Sequence, residues 1–279
     1  MEPEIVQAVA AAGRKAHTAR VIGSGASGSV VRVETDQGAV VVKVSRSADL
    51  RAEGRSLAYL RTHSSLPVPE VYYASERALV MEAMPGQTGA GRAERHAAEL
   101  LAGLHDVQGE AFGLEFDNLI GPLPQPNTRS RSWVTFFRER RLMTMVEAAA
   151  REGAIPETLA AGLERLAGKL ESLIPDQPRA SLVHGDVWSG NVLHEEERIT
   201  ALLDPAPYYA HAEVELAFIT LFSTFGTGFF RAYAERRPID PEFWSTRRDL
   251  YNLYPLLVHA RLFGGTYVGQ LASTAARFL

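Results

Sequence analysis

The segment that most constrains this chain is Ser181-Leu-Val-His-Gly-Asp-Val-Trp-Ser-Gly-Asn-Val-Leu193, followed seven residues later by Thr200-Ala-Leu-Leu-Asp-Pro-Ala206. Two short apolar runs, Leu182-Val183 and Ala201-Leu202-Leu203, read as buried strands. Strands buried on both sides deliver whatever follows them to fixed places. Here that is His184, Asp186 and Asn191 after the first run and Asp204 after the second. Asp186 and Asn191 also suit a plain polar turn between core strands, so the segment has to be read with the rest of the chain.

The N-terminal third is extended chain around a glycine turn. Residues 4–14 carry a helical apolar pattern that ends near Gly13. The period then changes: residues 20–33 alternate on either side of Gly23, Gly25 and Gly28, a G-x-G-x-x-G-x-V pattern. Such glycines open a helix in dinucleotide folds. Here the β-branched pairs Val30-Val31 and Val40 to Val42 follow instead, and Asp36-Gln-Gly38 marks a hairpin between them. The predicted order is strand, glycine loop, strand, hairpin, strand, which suits a loop lying over nucleotide phosphates. Lys43 falls in the third strand, where a lysine reaches the α/β-phosphates, although a strand-edge lysine is also read this way. Residues 49–61 form a helix with Leu50, Leu57 and Leu60 on one face and Glu53 placed to pair with Lys43. Val71–Ala74 and residues 78–81 are two further strands. Glu82-Ala-Met84-Pro-Gly86 breaks the pattern and is read as a hinge whose backbone faces an adenine.

The polar set now has a chemistry. His-x-Asp-x₄-Asn is the spacing of a phosphotransferase catalytic loop. Phosphoryl transfer needs a carboxylate to accept the proton of the attacking hydroxyl, which assigns Asp186. It also needs hard oxygen ligands for Mg²⁺ on ATP, which assigns Asn191 and Asp204. Only nine residues separate Asp204 from the helix beginning near Glu213, too few for a phosphorylatable activation loop, and no A-P-E follows. A small acceptor is therefore expected. Trp188, between the base and the metal ligand, suits the C–H face of a sugar; a core aromatic clamping the loop is the open alternative.

Beyond the hinge the pattern is mainly helical. Ala93, Ala97, Leu100, Leu101 and Leu104 mark one helix; residues 108–131 are a long Gly-, Pro- and Asn-rich loop, functional or ordered by packing. Residues 132–150 are helical with Trp133, Phe136 and Phe137. The nearby Arg129, Arg131, Arg138, Arg140 and Arg141 are expected on a solvated face rather than at an anion. Pro156 opens a leucine-striped helix, and amphipathic helices run from about Glu213 to the end.

Composition narrows the setting. The net charge of −4 and the lack of a basic stripe argue against nucleic acid. No apolar run has membrane-spanning length, and the start lacks a signal-peptide pattern, so the expected setting is cytoplasmic without membrane attachment. His17, His63, His96 and His259 lack metal-ligand spacing. With no cysteine, disulfides and thiolate chemistry are excluded.

In detail the chain resembles the fructosamine-3-kinase, or ketosamine kinase, family, within the aminoglycoside-phosphotransferase-like group. The resemblance is carried by HGDVWSGNVL (184–193) and LDPAPYYAH (203–211), with Phe112-Gly113, Asn118 to Gly121, Pro124 to Asn127 and Trp133 to Arg138 in support. It implies an α+β, two-lobed protein-kinase-like fold: a small antiparallel-sheet N-lobe with one main helix (1–84) and a larger, mostly helical C-lobe (85–279). It implies ATP- and Mg²⁺-dependent phosphorylation of the 3-hydroxyl of a small-molecule or protein-bound ketosamine. The expected site is then Asp186 as base; Gly23, Gly25, Gly28, Lys43, Glu53, Glu82 and Met84 at the nucleotide; Asn191 and Asp204 at the metal; and Trp188 and His184 at the substrate. The nearest alternatives are an aminoglycoside, choline or homoserine kinase of the same fold, or a non-catalytic nucleotide-binding module. The chain departs from the family in Ala212 and Glu215, where His-Arg-Glu-Val-Asp is often found, and in its protein-kinase-like glycine loop. Some members carry a redox-sensitive cysteine in that loop, and this chain has none. Activity should therefore be unchanged by peroxide at levels that spare methionine; a loss that dithiothreitol reverses would contradict this.

Overall fold

In the computed structural model, residues 1–279 are described except Ala26, Ser27 and Ser47, so the tip of the glycine loop lies outside the described residues. Helix α1 (Pro3–Ala11) precedes the hairpin of β1 (Ala16–Gly25) and β2 (Gly28–Thr35), then β3 (Gly38–Ser45). Helix α2 (Leu50–His63) leads to β4 (Val71–Ala74) and β5 (Ala78–Glu82). The strands form one antiparallel sheet in the order β1-β2-β3-β5-β4. Alternation explains its faces. Val31, Val33, Val40, Val42 and Val44 point to one side, where Ile5, Ala8 and Val9 of α1 and Val80 complete a small core. Asp49 caps α2 by accepting from Arg51 N at 3.0 Å. The apolar face of α2 (Leu50, Leu57, Leu60) joins Leu79 and Met81 in a second, larger core that continues through the rest of the chain.

That larger part contains β6 (Gln87–Thr88), α3 (Glu94–His105), and the short hairpin of β7 (Asn118–Ile120) and β8 (Leu123–Gln125). Next come α4 (Trp133–Phe136), a π-helical stretch (Phe137–Met143), α5 (Thr144–Arg151) and α6 (Glu157–Ala167). Strands β9 (Ser181–Val183), β10 (Val192–Glu195), β11 (Arg198–Leu202) and β12 (Tyr208–Ala210) follow. Helices α7 (Glu213–Leu221), α8 (Thr227–Arg236), α9 (Arg248–Phe263) and α10 (Thr266–Ala275) complete the chain. This is the two-lobed arrangement expected, a small sheet with one main helix against a larger helical part. None of the described helices is long and apolar enough to cross a membrane.

One expectation is borne out and one changes. Residues 108–131 are ordered by packing, with a short hairpin, β7 and β8, tied down by buried amides. Gln125 Nε2 and Asn127 Nδ2 both donate to Asn118 Oδ1, at 2.8 and 2.9 Å, and Asn118 Nδ2 donates to Pro207 O at 2.9 Å. Arg141 is not on a solvated face. The π-helical turn rotates the helix so that Phe136, Phe137, Arg141 and Leu142 are all buried. The Arg141 guanidinium lies 3.8 Å from the Tyr208 ring and donates to Pro126 O and Asn127 Oδ1, each at 2.7 Å. Arg129, Arg138 and Arg140 do pair with surface acids, as a solvated face would.

Arg141 is thus the bracket between the helix and the amide-rich segment. Arg141→Met keeps most of the volume but strands Asn127 Oδ1 and Pro126 O in an apolar setting. It should cost about 3 kcal/mol, the sum expected for charge-assisted hydrogen bonds lost from a buried site. Urea unfolding checks this, and a change below about 0.5 kcal/mol, the scale of ordinary surface substitutions, would contradict it.

Candidate active site

The site is assembled where β9 and β12 pair, Val183 opposite Tyr208. The chain leaves β9 into His184, whose carbonyl accepts from Ala206 N at 2.9 Å. Gly185 then turns in the left-handed region (φ 87°), and a Cβ there would run into the Ala206 carbonyl. Its N–H donates to Glu215 Oε1 at 2.7 Å. The other oxygen, Oε2, takes His105 Nε2 at 2.9 Å, and His105 Nδ1 contacts Tyr233 OH at 2.7 Å. Burial works against the Glu215 carboxylate, but His105 and the Gly185 N–H more than compensate and hold its pKa below the ordinary value.

Asp186 follows. Asn191 Nδ2 donates to its Oδ2 at 2.8 Å and to its carbonyl at 3.0 Å, and Asn191 O accepts from Leu203 N at 2.8 Å. Burial, then the nearby Asp204 carboxylate, push the Asp186 pKa up to about 7 against the pull of Asn191. Asp204 has a positive φ of 51°. Lys43 Nζ bridges the lobes, 2.8 Å from Glu53 Oε2 and 3.0 Å from Asp204 Oδ1. Burial opposes the Lys43 ammonium, but the two carboxylates outweigh it and raise its pKa. Burial likewise opposes the Asp204 carboxylate, and Lys43 lowers it again.

Two cavities meet at these residues. One, of about 630 Å³, runs from Gly23 and Gly28 past Lys43 and Glu53 to Asn191 and Asp204. The other, of about 270 Å³, runs from Asp186 toward α9. Their shared lining is Gly121, Pro122, Asp186, Trp188, Asn191 and Asp204. Trp188 is 41% exposed and borders both, so it is no core aromatic; its ring covers Gly190. Gly25 pairs with Gly28 at the glycine turn.

Three expected residues line neither cavity. His184 is fully buried and lines neither cavity; its Nδ1 accepts from Asp186 N at 3.3 Å, and burial lowers its pKa to about 4. It supports the loop from behind, because the residue that ends a buried strand stays in the core. Glu82 and Met84 also line neither cavity. Glu82 donates its N–H to Glu70 O at 2.8 Å, and its side-chain Oε2 accepts the Glu70 N–H at 3.2 Å.

The chain matches the fructosamine kinase family over residues 2–279. The chain belongs to that family. A probable ketoamine kinase of Synechocystis is 42% identical over 175 residues, 61% of this chain and 57% of that protein. The chloroplastic protein-ribulosamine 3-kinase of Arabidopsis thaliana is 31% identical over 92% of this chain and 81% of its own. A crystal structure from Thermobifida fusca, designated a fructosamine-3-kinase, superposes with a TM-score of 0.87 at 31% identity, covering 97% of this chain and 96% of that one. The aminoglycoside phosphotransferase APH(4)-Ia, in a ternary complex with ADP and hygromycin B, shares the fold at a TM-score of 0.69 and 18% identity over 96% of each chain. This fructosamine kinase family member is an ATP-dependent phosphotransferase.

The residues that the sequence did not announce are those that hold or wall the site. Glu215 departs from the family pattern, yet it anchors the catalytic loop directly. Tyr251, Tyr254, Val258 and Leu262 line the second cavity from one side of α9. Their helical spacing was legible, but α9 is apolar nearly all round, which hides the face that meets the site. Removing the anchor should loosen Asp186 without touching the glycine-loop cavity. Glu215→Ala is expected to lower kcat about a hundredfold, the scale of an ~1 Å misplacement, with little change in the KM for ATP. Steady-state kinetics on the folded variant decide it, and near-normal kcat would contradict the anchoring role.

Proposed function

We propose that this family member phosphorylates the 3-hydroxyl of a ketosamine, a ketose joined to an amine at C1. The observation that carries the reading is the meeting of a nucleotide-sized cleft and a separate acceptor cavity at one half-buried carboxylate, Asp186. The names of the relatives support the acceptor class. Asp186 accepts the proton of the acceptor hydroxyl, held in aim by the Asn191 amide. Its raised pKa suits proton transfer near neutral pH. Lys43, fixed by Glu53, presents its ammonium to the nucleotide phosphates. Trp188 walls the sugar at the junction.

The residues fit Mg²⁺. Asn191 has its Nδ2 on Asp186, leaving Oδ1 as an oxygen donor beside the Asp204 carboxylate, and both line the nucleotide cleft. No cluster of three or more acidic or histidine ligands exists among the described residues, which suits an ion that draws its remaining ligands from phosphate and water. Such an ion neutralises phosphate charge during transfer.

Asp186→Asn should reduce turnover at least about a hundredfold with little effect on nucleotide affinity. A folded variant with normal turnover would remove Asp186 from the role of base. The product supplies a second check. A ketosamine enolises to a 1,2-enaminol, and a phosphate on C3 is then an allylic leaving group. Loss of phosphate and hydrolytic release of the amine follow. Phosphorus NMR on a synthetic fructosamine or ribulosamine should show a transient sugar phosphate, then inorganic phosphate. A stable ester would place the phosphate on another hydroxyl. Turnover of an aminoglycoside or choline with none of any ketosamine would overturn the assignment.

A further inference from the structure

The cavity beyond Asp186 is walled by carbon, although several of its lining residues carry polar groups. Tyr254 OH donates to Gln125 Oε1 at 2.8 Å, behind the wall. Tyr251 OH accepts from Trp133 Nε1 at 3.0 Å and contacts His211 Nδ1 at 2.9 Å. Tyr208 is covered by the Arg141 guanidinium. Both oxygens of Glu215 are committed to Gly185 and His105. The tyrosines therefore present ring faces, and the available charge is confined to the end occupied by Asp186 and Asp204.

The far end is aromatic and uncharged. His259 Nδ1 lies 2.8 Å from Pro255 O. A carbonyl only accepts, so Nδ1 carries the proton and Nε2 is a neutral acceptor; burial also lowers the His259 pKa. Around it stand Phe222 (ring centroids 4.8 Å apart), Tyr267 (4.9 Å) and Phe263 (5.6 Å). Phe263 borders the cavity while 66% exposed, with its ring 6.0 Å from that of Tyr267, so it forms the outer rim of the aromatic end.

We propose that this cavity receives the substituent on the ketosamine nitrogen and selects apolar and aromatic substituents over charged ones. The inference rests on the ketosamine reading above and adds to it the side of the substrate that the sugar does not define. A methylene moved from water to this wall favours binding about fourfold. An ammonium or carboxylate carried to that far end loses its water and, among the described residues there, meets ring faces and one neutral nitrogen.

The test uses the full chain and one ketose bearing a graded series of N-substituents: methyl, isobutyl, benzyl, 2-carboxyethyl and 2-aminoethyl. Coupled ADP release gives kcat/KM for each. Benzyl should exceed methyl at least about thirtyfold, mainly through KM, and both charged substituents should fall at least about tenfold below isobutyl. Phe263 is exposed, so Phe263→Ala should fold; it should reduce the benzyl-to-methyl ratio about threefold or more. A flat series, a preference for a charged substituent, or an unchanged ratio in Phe263→Ala overturns this inference while leaving the ketosamine reading standing. Turnover of an aminoglycoside or choline but of no ketosamine overturns both.

Discussion

A buried carboxylate ties the catalytic loop to the helices behind it. Glu215, at the start of α7, fixes Gly185 N–H with one oxygen and His105 with the other, so α3, α7 and the loop move together. A buried carboxylate with no hydrogen bonds would be strongly unfavourable and would take up a proton. Here each oxygen has a donor, and the charge stays. Tyr233 of α8 closes the chain behind His105, which extends the support to a third helix. Gly185 is the matching requirement on the loop: no residue with a Cβ could make this turn against Ala206.

On the other side of the loop, charge balance is the controlling constraint. Glu53, Asp186 and Asp204 converge with one lysine, Lys43. Burial opposes the Asp204 carboxylate but Lys43 lowers it again, whereas at Glu53 and Asp186 burial, followed by the Asp204 charge, pushes the pKa up despite Lys43. A carboxylate whose pKa sits near neutrality can both take and release a proton at modest driving force. The same ion pair ties β3 and α2 to the segment after β11, so nucleotide-side geometry and lobe contact are one property.

The acceptor side is built differently, from buried polar groups that face away from it. Asn118, Gln125 and Asn127 fold the 108–131 segment into a hairpin, and Arg141 braces that hairpin against the helix. The hairpin turn at Gly121-Pro122 then becomes the partition shared by both cavities. Satisfying polar groups behind the wall leaves an apolar surface in front, which is why residues rich in hydroxyl and amide groups yield a carbon-lined pocket.

The sequence by itself determined which residues converge: Asp186, Asn191 and Asp204 follow buried strands at fixed spacing, and Lys43 and Glu53 fall on a strand and a helix with clear periods. Spacing suffices there because strand and helix geometry convert it directly into position. It did not reveal that His184 is buried, that Glu82 and Met84 lie off both cavities, or that Arg141 is a core residue. Those were decided by tertiary structure. A histidine beside a catalytic aspartate faces inward or outward according to the turn at Gly185, and an arginine among four others is buried because a π-helical turn rotates it onto Tyr208. The second cavity was likewise beyond the sequence, since its walls come from a hairpin, a loop tryptophan and α9, far apart in the chain and joined by packing.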